Sequence, residues 1–240
     1  MILPLAFLDA FSGAFDFIFS QRESVGGGLQ VGGLGQVGEL ALEHLKVSGA
    51  ALAVSLGFAL PLGVYLGHRG RGELFAVAVG NAGRAIPELA LIAFLVAFVG
   101  IGFLNVTIAL AVLGIPPILT NTFVGVRQVN RDTVEAARGM GMAEAQIATR
   151  IELPLAAPTI MTGVRTAAIN IIATATIAPL AGVLTLGDFI LARNVYGDEG
   201  VLAGAILVAV LAVIVELTLA GVQRWLTPRG VRLQRAAASA

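Results

Sequence analysis

The chain has 240 residues, 57% of them hydrophobic and 12% charged, with a formal net charge of zero. Soluble globular domains average roughly 25% charged residues, so this composition and a mean hydropathy of +0.91 exclude that class and read as an integral membrane protein. The absence of cysteine excludes disulfide scaffolds, cysteine zinc sites and thiol nucleophiles.

The first twenty residues, MILPLAFLDAFSGAFDFIFS, are apolar but carry Asp9 and Asp16 and lack the basic start of a secretory signal. Each Asp would cost about 2.5–3.5 kcal/mol near the middle of a membrane. A short helix on the outer interface is therefore expected here, with an extra span as the alternative. GGGLQVGGLGQVG follows and predicts a flexible connector. It places Gly33, Gly35 and Gly38 at GxGxxG spacing, but a Gly-rich linker before it and a membrane span after it are the wrong context for dinucleotide binding. Residues 1–46 are thus read as an interfacial segment and connector, with ELALEHL resuming helix before the first span.

A hydrocarbon core of roughly 30 Å takes about 20 apolar residues in a helix. Spans are expected at Val47 to Leu66, Leu74 to Gly100, Val106 to Val126, Pro158 to Ala181 and Val201 to Val222. The fold class is accordingly an all-α membrane protein with a five-helix core over 47–226, followed by a basic tail at 227–240. Arg69, Arg71, Arg84, Arg127, Arg131, Arg138, Arg150, Arg224, Arg229, Arg232 and Arg235 fall on or near one side of this topology, against Arg22, Lys46 and Arg193 opposite, and the positive-inside rule makes the first side cytoplasmic. The lone lysine, Lys46, follows Leu45 rather than the glycine of a phosphate-binding loop, so ATP-driven work needs a partner subunit. His44 and His68 lie at opposite ends of the first span and read as interfacial residues; no metal site is expected.

The third and fourth spans are separated by a polar loop over 127–157. In NRDTVEAARGM, Asp132 is placed to N-cap a short helix with Glu135 three residues on, a capping-box arrangement. Gly139 and Gly141 interrupt that helix, and MAEAQIATRIEL predicts a second one that Pro154 ends. Glu135, Ala136, Ala137, Gly141, Ile151, Leu153 and Pro154, at these spacings, resemble the EAA loop of ABC importer permeases without a departure. In that family the loop is the coupling helix that docks into a groove on a cytoplasmic ATPase. The resemblance assigns these seven residues, and Arg138 with them, to coupling.

The likeness extends over roughly residues 40 to 230. RAIPELALIAFL, IELPLAAPTIMTGVRTA, ATATIAPLAG, LGDFI and RWLTPRG are similar to permease subunits for glycine betaine, carnitine, choline and related osmoprotectants. Glu88 after the IP pair and GVLTLGD in the outer loop depart from that subfamily's pattern. An importer for D-methionine, another amino acid or a sulfonate is therefore the alternative, and a membrane-embedded enzyme the remote one. The resemblance implies partner ATPases carrying ATP and magnesium, a second permease copy or relative, and an extracytoplasmic substrate-binding protein. It implies a bacterial plasma or inner membrane setting, no cofactor on this chain and no nucleic acid.

Within the spans, Thr162, Thr166, Asn170 and Thr174 recur every four residues, each step turning about 400°, and form one slowly winding stripe. Two readings stand, a helix-packing seam and a wall of the translocation pathway. Arg165 and Glu216 are intramembrane charges, which mark function by default; Arg165 can pair with Glu216 or Glu88 as a gate or lock, or snorkel to the headgroups. Pro116 and Pro117 remove two helical hydrogen bonds from the third span and make it a candidate hinge. With Trp225, Tyr65 and Tyr196 as the complete set of non-phenylalanine aromatics, no quaternary-amine cage is apparent. Tyr196 and Asp198 are read as part of a solvated outer loop open to a binding protein.

Overall fold

The computed structural model describes residues 3–228 and 230. In chain order it has α1 (Leu3–Phe19), a hairpin of β1 (Gln21–Glu23) and β2 (Gln30–Gly32), α2 (Gly33–Arg69), α3 (Glu73–Ala85), α4 (Glu88–Val99) and α5 (Phe103–Arg127). Next come α6 (Arg131–Gly139), α7 (Glu144–Ile147), a π-helical turn (Ala148–Glu152), α8 (Leu153–Thr174), a 3₁₀ segment (Ala175–Ala181), α9 (Gly187–Leu191) and α10 (Arg193–Leu226). Of the basic tail expected at 227–240, Arg229, Arg232 and Arg235 lie outside the described residues.

Four stretches are long and apolar enough to cross a membrane: α2, α5, Glu144–Ala181 and α10. Together α3 and α4 form a pair bent by 93°, a broken span or a re-entrant loop, so the all-α core has four spans, or five with that pair. The second span, expected to be continuous from Leu74 to Gly100, is interrupted. Pro87 disfavours helical backbone at the residue before it, and Ile86 is accordingly extended at φ −76°, ψ 121°.

The chain divides into two compact units, one built from 1–51, 87–110 and 171–214, the other from 52–86, 111–170 and 215–240. In the first, Ala14, Phe17 and Ile18 of α1 bury against Val37, Leu40, Leu186, Phe189, Tyr196 and Ala203. The rings of Phe17, Phe189 and Tyr196 meet edge to face with centroids 5.0–6.1 Å apart, contacts worth about 0.5–1.5 kcal/mol each beyond their burial. The Tyr196 hydroxyl donates to Asp188 Oδ2 at 2.6 Å. The expectation of a solvated loop at Tyr196 is thereby corrected: its ring is 8% exposed because α1 supplies a lid of apolar side chains. Asp198 does remain exposed, paired with Arg193. Asp9 and Asp16 are exposed on α1, away from its buried face.

The Gly-rich connector is also corrected. Gln21 to Glu23 pairs antiparallel with Gln30 to Gly32, and Gly33, Gly35 and Gly38 form the first turns of α2 rather than a linker. At Gly32 (φ +81°) a Cβ would come within 2.6 Å of the Phe17 carbonyl oxygen, so a side chain there would force hairpin and α1 apart. His44, expected at an interface, is fully buried and its Nε2 lies 2.9 Å from the Ile172 carbonyl oxygen.

The second unit is organised around α5. Thr122 and Val126 pack where Gly63 and Gly67 of α2 leave room, and Thr120 and Pro116 fill the space beside Gly80 and Gly83 of α3. On the third side, a Cβ at Gly163 of α8 would lie 2.5 Å from the Pro117 carbonyl oxygen. Small residues let helices approach closely where lipid provides no hydrophobic drive for association. α5 runs through Pro116 and Pro117 as one helix, with Asn121 Nδ2 donating to the Pro117 carbonyl at 2.8 Å.

Candidate functional site

The polar loop folds into α6, α7 and the π-helical turn. Asn130, not Asp132, caps α6: its side-chain oxygen accepts from the Asp132 amide at 2.7 Å. Glu135 therefore has no capping role, and it stands exposed. α6 ends in a Schellman turn, with the Gly141 amide bonded to the Arg138 carbonyl at 3.0 Å and the Met142 amide to the Ala137 carbonyl at 3.2 Å. This geometry places Gly141 at φ +84°, the left-handed conformation that favours glycine.

The expected break at Pro154 is not found; the helix passes through it into α8. Proline lacks an amide, and the π-helical turn just before it takes up the mismatch, with the Leu153 amide bonding back to the Ala148 carbonyl.

Burial divides the EAA residues into two sets. Glu135, Ala136, Arg138 and Gly141 are exposed. Ala137 is buried, and Ile151 and Leu153 pack against the same apolar cluster, which includes Val134, Ile147 and Ala156. Pro154 is half-buried. The first set forms a surface and the second anchors it.

Side chains not linked by any local pattern join beneath that surface. Arg138 donates to both oxygens of Glu144, at 2.8 and 3.1 Å, and this carboxylate, by hydrogen bond and by charge, raises the Arg138 pKa further above its ordinary value. Glu144 Oε2 also lies 3.1 Å from His68 Nε2. The other ring nitrogen of His68, Nδ1, lies 2.6 Å from Oε2 of Glu152, a carboxylate only 1% exposed. His68 is thus part of the site and not a bare interfacial residue. Eighty-four positions separate His68 from Glu152, so no spacing rule could have joined them. His68, Arg138 and Glu144 also line a groove of about 890 Å³, where Arg69 sits 5.4 Å over the Tyr65 ring.

On α8 the stripe faces away from the chain's own core: Thr162, Thr166 and Asn170 are exposed and Thr174 half-buried. Thr162 and Thr166 hydroxyls donate to the carbonyls of Pro158 and Thr162, at 3.1 and 3.0 Å. Arg165 takes Glu216 as its partner, with Nε to Oε1 at 2.9 Å, and donates also to Gln223, which in turn donates to the Pro158 carbonyl at 2.8 Å. Glu88 stands exposed in the first turn of α4. Among the described residues no group of three or more potential ligands is placed to hold a metal ion.

A family model described as binding-protein-dependent transport system inner membrane component matches residues 59–230. The chain is 38% identical over 194 residues to the carnitine transport permease protein OpuCB of Listeria monocytogenes, covering 80% of this chain and 89% of that one. It is also 38% identical over 191 residues to the choline transport system permease protein OpuBB of Bacillus subtilis, covering 79% and 88%. Among solved structures, an inward-facing conformation of the MetNI methionine ABC transporter aligns with a TM-score of 0.70 over 81% of this chain and 98% of that one, at 21% identity. That last likeness is one of fold.

Proposed function

The chain belongs to the binding-protein-dependent transport system inner membrane components, and from that premise we propose that it imports osmoprotectant quaternary amines of the carnitine, choline and glycine betaine class. As a permease subunit it is a multi-pass transport component of the inner membrane and not an enzyme; membership implies an ATPase and a substrate-binding protein as partners.

The observation that carries the cargo is 38% identity, over four-fifths of the chain, to a carnitine permease, with a choline permease alike to the same degree. The aromatic inventory supports delivery by a binding protein rather than capture by a cage in this chain. Tyr196 is packed into the α1 cluster and Tyr65 lies under Arg69. A second permease, identical or related, completes the pathway, and the exposed Thr162, Thr166 and Asn170 are the polar wall this chain brings to it, with Thr174 continuing the row. Arg165 and Glu216 lock α8 to α10 beside that wall, and Pro116 and Pro117 are the hinge.

Glu135, Ala136, Arg138 and Gly141 form the face that docks on the ATPase, held from behind by Ala137, Ile151, Leu153 and Pro154. ATP and magnesium are bound by the ATPase, and this chain carries no cofactor. α1, with Asp9 and Asp16 on its free face, lies along the membrane surface.

The test is ATP-dependent uptake by the complete complex in proteoliposomes. Accumulation of radiolabelled carnitine, choline or glycine betaine is expected; D-methionine uptake with none of these three overturns the cargo.

A further inference from the structure

We propose that His68 is a positioning residue for coupling, the link through which motion of the docking surface reaches α2. This rests on the reading of 131–154 as the ATPase-docking element. His68 lies on the last turn of α2, and each of its ring nitrogens meets a carboxylate: Glu152 of the π-helical turn at 2.6 Å and Glu144 of α7 at 3.1 Å. Glu144 is held in turn by Arg138 of α6. Arg138, Glu144, His68 and Glu152 therefore form one continuous chain of polar contacts from the helix carrying Glu135 to the end of a membrane span.

The chemistry suits the task. The imidazole ring carries a nitrogen on each side, so one side chain can meet carboxylates in two opposed directions. A glutamine carries both of its donors on one nitrogen and cannot span two carboxylates on opposite sides. Glu152 is 1% exposed, so solvent cannot replace the imidazole, and a buried carboxylate without its partner is strongly disfavoured. The buried end therefore anchors the link to the π-helical turn, while the Glu144 end, which is 56% exposed, meets the surface. The Schellman turn at Gly141 joins α6 to this anchored segment over few residues. A partner that shifts α6 consequently pulls on α2 through His68 rather than bending a free loop.

The experiment measures ATP hydrolysed per cargo molecule imported, in proteoliposomes holding the complete complex, for wild type, His68→Gln, His68→Arg, Glu144→Gln and Glu135→Lys. The proposal expects His68→Gln to assemble with the ATPase yet raise the ATP-to-cargo ratio roughly tenfold, the scale of one lost charge-assisted hydrogen bond. His68→Arg, which presents donors in several directions, is expected to recover most of that loss. If His68→Gln does not insert, Glu144→Gln decides, because it cuts the link at its exposed end and leaves the anchor at Glu152 in place. A normal ratio in that variant overturns the proposal. So does a normal ratio in His68→Gln, or an arginine variant no better coupled than the glutamine one. Glu135→Lys separates the two levels: if it uncouples while the His68 and Glu144 variants do not, the link is wrong and the docking surface stands. If none uncouples, the docking reading itself fails.

Discussion

Glu135 is the cleanest single position at which to test docking, because it is exposed, makes no capping bond and lies outside the apolar cluster. Glu135→Lys is expected to leave insertion and thermal stability unchanged while cutting ATP-driven uptake about tenfold or more, the scale of a lost interfacial charge contact. Unchanged uptake with normal ATPase co-purification would remove Glu135 from the docking surface. Gly141 behaves differently. Its φ of +84° means a β-branched residue meets left-handed strain of about 1–2 kcal/mol, so Gly141→Val should lower the melting temperature in detergent as well as impair coupling. A transition coincident with wild type would show that the turn has another way to close. The signature legible in the sequence therefore contains residues of two kinds. Spacing alone could not tell Ala136, which is exposed, from Ala137, which is buried.

α8 and α10 are joined by Arg165, Glu216 and Gln223, and α5 is gripped by glycines of α2, α3 and α8. Arg165 and Glu216 keep 30% and 27% of their side-chain surface, so removing one partner costs less than for a fully buried pair. About 1–2 kcal/mol is expected for Glu216→Gln, with less than additive loss when Arg165→Gln is combined with it. Thermal unfolding of the four-member cycle in one detergent measures this, and strict additivity would show that the pair is not energetically coupled. Charges in apolar spans announce themselves in a sequence, but Arg165 had Glu216 and Glu88 as candidate partners until helix packing brought Glu216 alongside. Pro154 shows the reverse: a residue that normally ends a helix is carried through by a π-helical turn. The hydrogen bond from Leu153 to Ala148 that accommodates it depends on the backbone path, not on residue identity.

A transporter of this family needs a polar wall on a surface its own chain does not cover. The Thr162, Thr166 and Asn170 face of α8 is exposed and is the wall proposed above. Since the Thr166 hydroxyl is exposed and donates to the Thr162 carbonyl of its own helix, Thr166→Val should change stability by no more than about 0.5 kcal/mol, as for surface substitutions. It should nevertheless raise the half-saturating cargo concentration or lower the uptake rate. Equal transport kinetics would return the stripe to a packing role against a neighbouring subunit. By itself, the sequence determined the membrane class, the apolar segments, the permease family and the need for an ATPase partner, and it carried the arginine bias and the EAA pattern on which the proposed orientation and docking rest. All of these are properties of contiguous residues, since hydropathy, charge bias and short motifs are set by neighbours along the chain. Tertiary structure alone decided that the Gly-rich stretch becomes a hairpin and the start of a helix. It alone buried Tyr196 under α1, chose Glu216 for Arg165 and set His68 between Glu144 and Glu152. Those pairings depend on which helices approach closely, and close approach is governed by small residues and broken helices whose partners lie far away in sequence.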